Sequence, residues 1–142
     1  MIIPVMISVS LIFLSVLTAA KLLTTRLNKN NINEIGTTCL DFFKIDKQVT
    51  FQLDKNVKVS RAIVKKENSE YIVIIKDSFL MGRVSEIIHE LTHIKTGQAD
   101  RVKKLKNSVF NIILYNIPYD FFYAMPNEIK YCLWAKKEFG KV

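Results

Sequence analysis

Residues 2–20 read IIPVMISVSLIFLSVLTAA and carry no charge, and the first charge after them is Lys21. Nineteen uncharged residues come close to the roughly 20 that a helix needs to cross a bilayer. Pro4 lies near the start, where a missing amide hydrogen costs a helix little, and the Ser and Thr hydroxyls can bond back to helical carbonyls. Residues 1–24 are therefore read as a transmembrane anchor and 25–142 as one domain. Thr18, Ala19 and Ala20 also resemble a signal-peptide cleavage site, but the positively charged leader such a peptide carries is missing. The nearest positive residues, Lys21, Arg26 and Lys29, follow the segment, which predicts an outside N-terminus and a cytoplasmic domain.

Beyond an Asn-rich link at 28–31 the pattern becomes amphipathic. Ile32, Ile35, Cys39, Phe42 and Phe43 share one helical face, with Gly36 lowering the intrinsic propensity. From Gln48 the period drops to two: Val49, Phe51 and Leu53 alternate, Val57 and Val59 alternate, and Tyr71–Ile75 is a β-branched run. Turn chemistry at Asp54-Lys55-Asn56 and at Lys66-Glu67-Asn68-Ser69 predicts two hairpins, hence an antiparallel three-stranded meander. Helical spacing returns over Met81–Ile94 and stops at Gly97. A basic amphipathic helix is expected from Asp100 to about Pro118, and Pro126 opens a last helix running to about Phe139. The fold class this predicts is α+β.

Composition narrows the picture. The chain has 142 residues, so about 115 to 120 remain outside the apolar segment, enough for one core and no more. All the charge, net +8, belongs to that part, and a basic surface suits anionic lipid or acidic partners. No nucleic-acid motif accompanies it, so no nucleic acid is expected. Cys39 and Cys132 lack metal-binding spacing and are read as small buried hydrophobes. The stretch Val109–Met125, with a single charge at Asp120 and tyrosines at 115, 119 and 123, suits either the core or a bilayer interface.

The chemistry concentrates in His89-Glu90-Leu91-Thr92-His93. On a helix, positions four apart share a face, so the chain's two histidines, His89 and His93, can offer two nitrogens to one Zn²⁺. Glu90 can then reach a water held by that metal and act as general base in amide hydrolysis. A catalytic zinc usually takes three protein ligands, and with no third histidine the remaining one must be acidic, or else Cys or Tyr. Glu128, in the first turn of the last helix, is the choice; Asp100 and Glu138 are the alternatives, and Glu86 is read as orienting a ligand or facing solvent.

The stretch Ile87–Lys95 resembles the active-site helix of the zincin metallopeptidases, and Pro126-Asn127-Glu128 resembles the glutamate helix of their gluzincin branch. In size the chain is most similar to the minimal minigluzincins. Only the five-residue motif is specific, although the order of elements over about residues 48 to 139 agrees. The resemblance implies zinc on His89, His93 and Glu128, Glu90 as base and acid, and an extended substrate pairing with the edge of the strand before the active-site helix, here Tyr71–Lys76. Two positions depart from the pattern: Lys95, where an apolar residue is usual, and Tyr131, where many gluzincins carry a small or acidic residue. Ala99 stands where a metzincin would place its third histidine. The oxyanion donor is left open among Tyr115, Tyr119, Tyr123, Tyr131 and Arg101. The function expected is hydrolysis of peptide bonds in a membrane-near polypeptide, with a peptide or protein as substrate; the alternative is a catalytically inactive zinc-binding membrane sensor or adaptor.

Overall fold

The computed structural model describes residues 2–57, 62–79, 81–97 and 125–140. Its elements are α1 (Ile2–Leu22), α2 (Ile32–Phe43), β1 (Val49–Asp54), β2 (Ala62–Glu67), β3 (Glu70–Lys76), α3 (Val84–Lys95) and α4 (Met125–Phe139), an α+β arrangement. The expected basic helix, most of the aromatic stretch after it, Asp100 and the donor candidates Arg101, Tyr115, Tyr119 and Tyr123 lie outside the described residues.

Three strands are present, but the second is Ala62–Glu67, with Val57 outside it and Val59 outside the described residues, and they do not form a meander. The sheet order is β1-β3-β2, with β1 parallel to β3 and only β2 antiparallel to it. The second hairpin is as expected: Asn68 and Ser69 both take positive φ, 46° and 72°, which a tight two-residue turn requires. At the first, Asn56 N–H bonds to Asp54 Oδ1 at 2.8 Å, so the turn forms, yet the chain goes on to the far edge of the sheet instead of folding back. The reason lies in β3. Tyr71, Val73 and Ile75 are fully buried under the helices and Ile72 and Ile74 half-buried on the other face, so this strand, the most apolar of the three, takes the central place. It therefore has no free edge, and the expectation that Tyr71–Lys76 would pair with a substrate at a cleft rim is corrected: the outer edges belong to β1 and β2.

Helices α2 and α3 pack on one face of the sheet and on each other. In α2 the predicted face is buried through Ile32, Ile35, Cys39 and Phe43, whereas Phe42 turns outward and stacks on Trp134 of α4, centroids 3.7 Å apart. Gly36 is required by close approach, since a Cβ there would stand 2.3 Å from the ring of Phe51 on β1. Both cysteines are buried and unpaired, and burial pushes each thiol up to about 12. They behave as the small hydrophobes that the sequence suggested.

Helix α1 touches the rest of the molecule with one stripe. Leu17 and Ala20 are buried, as is Thr24 just after the helix, while the apolar side chains from Ile2 to Val16 are exposed. These contacts are made with α4. The segment leaving α1 then closes the start of α3: Val84 N–H donates to the Thr25 carbonyl at 3.0 Å and Ser85 N–H to Thr24 Oγ1 at 3.3 Å, satisfying amides that a helix start leaves free. Leu27 N–H donates to the Gly82 carbonyl at 2.8 Å, and Arg83 Nη1 to the Thr24 carbonyl at 2.9 Å.

Gly36→Ala should destabilise the protein. The helix-propensity gain of about 0.5–1 kcal/mol is outweighed by an overpacking cost of about 1–3 kcal/mol against Phe51, for a net loss of up to about 2 kcal/mol. Thermal unfolding of the full chain in detergent would measure it as a lowered midpoint, and an unchanged or raised midpoint would contradict the packing described.

Candidate metal centre

Helix α3 is buried nearly all round: Val84, Ile87, Ile88, Leu91 and Ile94 form an apolar stripe along about a third of its circumference, and Ser85, Glu86 and Glu90 are buried beside it. The remaining stripe, Glu86, His89, Glu90 and His93, follows i, i+3, i+4, i+7 spacing and faces α4. His89 and His93 present their Nε2 atoms to each other at 3.0 Å, with the rings at 84°. A tetrahedral metal with bonds of about 2.0–2.1 Å would hold two nitrogens about 3.4 Å apart, so a small outward turn of either ring suits the pair to a shared ion.

Glu128 comes from the first turn of α4, where Pro126 starts the helix without an amide to satisfy. Its Oε1 accepts from His89 Nδ1 at 3.1 Å. A carboxylate on Nδ1 leaves the Nε2 lone pair of His89 pointing at His93, the tautomer a metal needs. In this conformation Glu128 is thus one imidazole width from the nitrogens it was expected to accompany. Among the described residues no group of three or more His, Cys, Asp and Glu side chains is arranged to hold a metal ion.

The same Oε1 takes a second partner that sequence reasoning missed. Lys21 Nζ, from the last turn of α1, lies 2.8 Å away. Burial alone would raise the Glu128 carboxyl, but the His89 hydrogen bond and the Lys21 charge outweigh it and hold the group at about 2. His89 is raised above its ordinary value: burial works against this, and the Glu128 hydrogen bond and charge prevail. Glu90 is also raised, by burial first, with the two histidines partly opposing and Glu86 and Glu128 adding to the effect. A carboxylate of raised basicity beside two potential ligands is suited to taking up and returning a proton.

Glu86 is 3% exposed, with Oε2 buried and unpartnered among the described residues, which corrects the solvent-facing option for it. Glu138 is exposed near the end of α4, ten positions from Glu128. Tyr131 is taken up in an aromatic cluster, its ring 4.8 Å from Phe43 and 5.9 Å from Phe42. A cleft of about 420 Å³ lined by Arg26, Leu27, Asn28, Lys29, Leu53 and Asp77 lies apart from the histidines. The only sequence signal for Lys21 was its spacing: Leu17, Ala20, Lys21 and Thr24 fall on one helical stripe.

Two outcomes follow for the metal-free protein. Glu128 ionises far below its ordinary 4.5, so its contribution to stability is present above pH 4.5 and lost as pH falls towards 2. His89 is raised above 6.5, so its contribution is complete below pH 6.5 and lost as pH rises through the raised value. Glu128→Gln should accordingly lower the unfolding midpoint at pH 5–6, with the difference from the parent shrinking towards pH 2 and also at alkaline pH. In addition, Lys21→Met and Glu128→Gln should each cost about 1–3 kcal/mol at pH 6, and the double variant less than the sum. Strict additivity in that cycle would mean that the ion pair contributes nothing.

Comparison with known proteins finds no matching family model, no matching curated protein and no matching solved structure.

Proposed function

We propose that the chain is a zinc-dependent peptidase of zincin type, anchored in a membrane by α1, with His89, His93 and Glu128 holding the metal and Glu90 moving the protons. The observation that carries this reading is the facing Nε2 pair of His89 and His93, 3.0 Å apart on a buried helix, with Glu128 against the same imidazole. Zinc bound there would supply a Lewis acid that polarises a peptide carbonyl and lowers the pKa of water. The side chains do the rest. Glu90 accepts the proton of the attacking water and returns it to the departing amine, which its burial-raised basicity favours. In the metal-free arrangement Glu128 on Nδ1 holds His89 in the tautomer whose Nε2 is open to an ion. For Glu128 to join the ligand set, its side chain must give up Lys21 and His89 Nδ1 for the ion.

The anchor reading is supported by α1 itself, 21 residues long and apolar enough to cross a membrane. The hold of Lys21 on Glu128 favours a second reading, a zinc-binding sensor or adaptor without catalysis, in which that carboxylate stays engaged.

Elemental analysis of the purified full chain should find one zinc per molecule. His93→Ala should abolish it, and Glu128→Ala should weaken it by at least about tenfold. Glu90→Gln should retain the metal while peptide hydrolysis falls by about 10²–10⁴-fold. Zinc in the parent with no cleavage of any peptide pool would select the sensor reading, and a parent that takes up no zinc would sink both.

A further inference from the structure

A hydrocarbon layer is about 30 Å thick, and the headgroups add about 5–7 Å on each side. At 1.5 Å per residue, all 21 residues of α1 extend about 31 Å, whereas the freely exposed part, residues 2–16, extends only about 22 Å. A spanning α1 therefore cannot keep its covered turns well outside the lipid. The turns bearing Leu17 and Ala20 are needed to complete the span, and these are the turns that α4 covers. Lys21, one position on, touches Glu128, which touches His89. The candidate metal centre is thus one side-chain contact from the end of the span.

The surroundings of the helix exit have the composition of a bilayer interface. Leu22 and Leu23 are 43% and 52% exposed, and Phe79 is 67% exposed. The Phe79 ring sits between two guanidinium groups, 5.7 Å from that of Arg26 and 5.8 Å from that of Arg83. Aromatic rings settle at headgroup depth, and an exposed guanidinium group beside one, here that of Arg26, can meet lipid phosphate, while Arg83 donates from Nη1 to the Thr24 carbonyl. Arg26 and Arg83 also pair through their backbones, which joins Phe79 and the α3 start to the exit segment. The domain is tied to the helix exit by the Thr24, Thr25 and Leu27 hydrogen bonds.

We infer that the last turn of α1 is a wall of the candidate centre and that the domain is seated on the bilayer surface through Leu22, Leu23 and Phe79, so that the centre takes as substrate polypeptide segments just emerging from the same bilayer. This rests on the peptidase reading for the substrate and on the anchor reading for the seat, and the two parts are tested apart.

For the seat, nitroxide labels at Leu23→Cys, Phe79→Cys and Asn68→Cys in the full chain, reconstituted in vesicles containing anionic lipid, report depth by collision with oxygen against a water-soluble nickel chelate. The native cysteines are buried and stay unlabelled. Positions 23 and 79 should favour oxygen, whereas Asn68, in the hairpin at the opposite end of β3, should favour nickel. Nickel access at 79 equal to that at 68 overturns the seat, as does protection of 23 and 79 from both reagents, which would mean that another protein covers them. For the substrate, the zinc-loaded chain is co-reconstituted with single-span reporters whose degenerate tails extend about 30 residues from the bilayer, and the cuts are mapped by mass spectrometry. Cuts concentrated in the first ten or so residues support the substrate class. Cuts spread evenly along the tail overturn it while leaving a peptidase, and a complete absence of cuts overturns the peptidase reading while the labelling result stands.

Discussion

The centre of this molecule depends on keeping carboxylates ionised in a place that disfavours charge. Glu86, Glu90 and Glu128 gather around α3, the first two fully buried, and each would cost several kcal/mol to bury as an unpaired ion. The molecule resolves this unevenly. Glu128 receives Lys21 and His89 and stays ionised; Glu90 has no ion pair among the described residues, and burial raises it towards its protonated form. Two carboxyl groups on neighbouring helices are thereby driven in opposite directions, the separation that acid–base chemistry uses.

Because the compensating charge comes from α1, the apolar helix is more than a tether. Its final turns cover α4, its last cation neutralises Glu128, and the segment beyond it satisfies the first amides of α3. Helix α1 and the candidate centre are thus one packed unit. Removal of α1 would expose an apolar strip of α4 and leave Glu128 with His89 as its remaining described partner.

The opposite side of the centre is held by aromatic packing. Phe42 and Phe43 from α2 meet Tyr131 and Trp134 from α4, and the close approach of Phe51 to Gly36 brings α2 down onto the sheet. Edge-to-face and stacked pairs of this kind each add about 0.5–1.5 kcal/mol beyond their area and have preferred angles, so they fix the rotation of α4 and hence where Glu128 points. Tyr131, a departure from the gluzincin pattern in sequence, is explained by this cluster.

What the sequence determined by itself is whatever depends on short-range periodicity. It placed α1, α2, α3 and α4 within a few residues, counted three strands, located the Asn68–Ser69 hairpin, and put His89, Glu90 and His93 together, because helical spacing alone brings positions four apart onto one face. Glu128 was also within reach, through its first-turn position and the need for an acidic partner. Strand order was decided only by tertiary structure: local turn chemistry at Asp54–Asn56 reports that the chain bends, not which strand it joins, and the central place went to β3, the most apolar of the three strands in sequence. Tertiary structure likewise decided the identity of the counter-ion. Lys21 and Glu128 lie more than a hundred residues apart, and no periodicity links a lysine at the end of the first helix to a carboxylate on α4; only the packing of α1 on α4 brings the two charges to 2.8 Å.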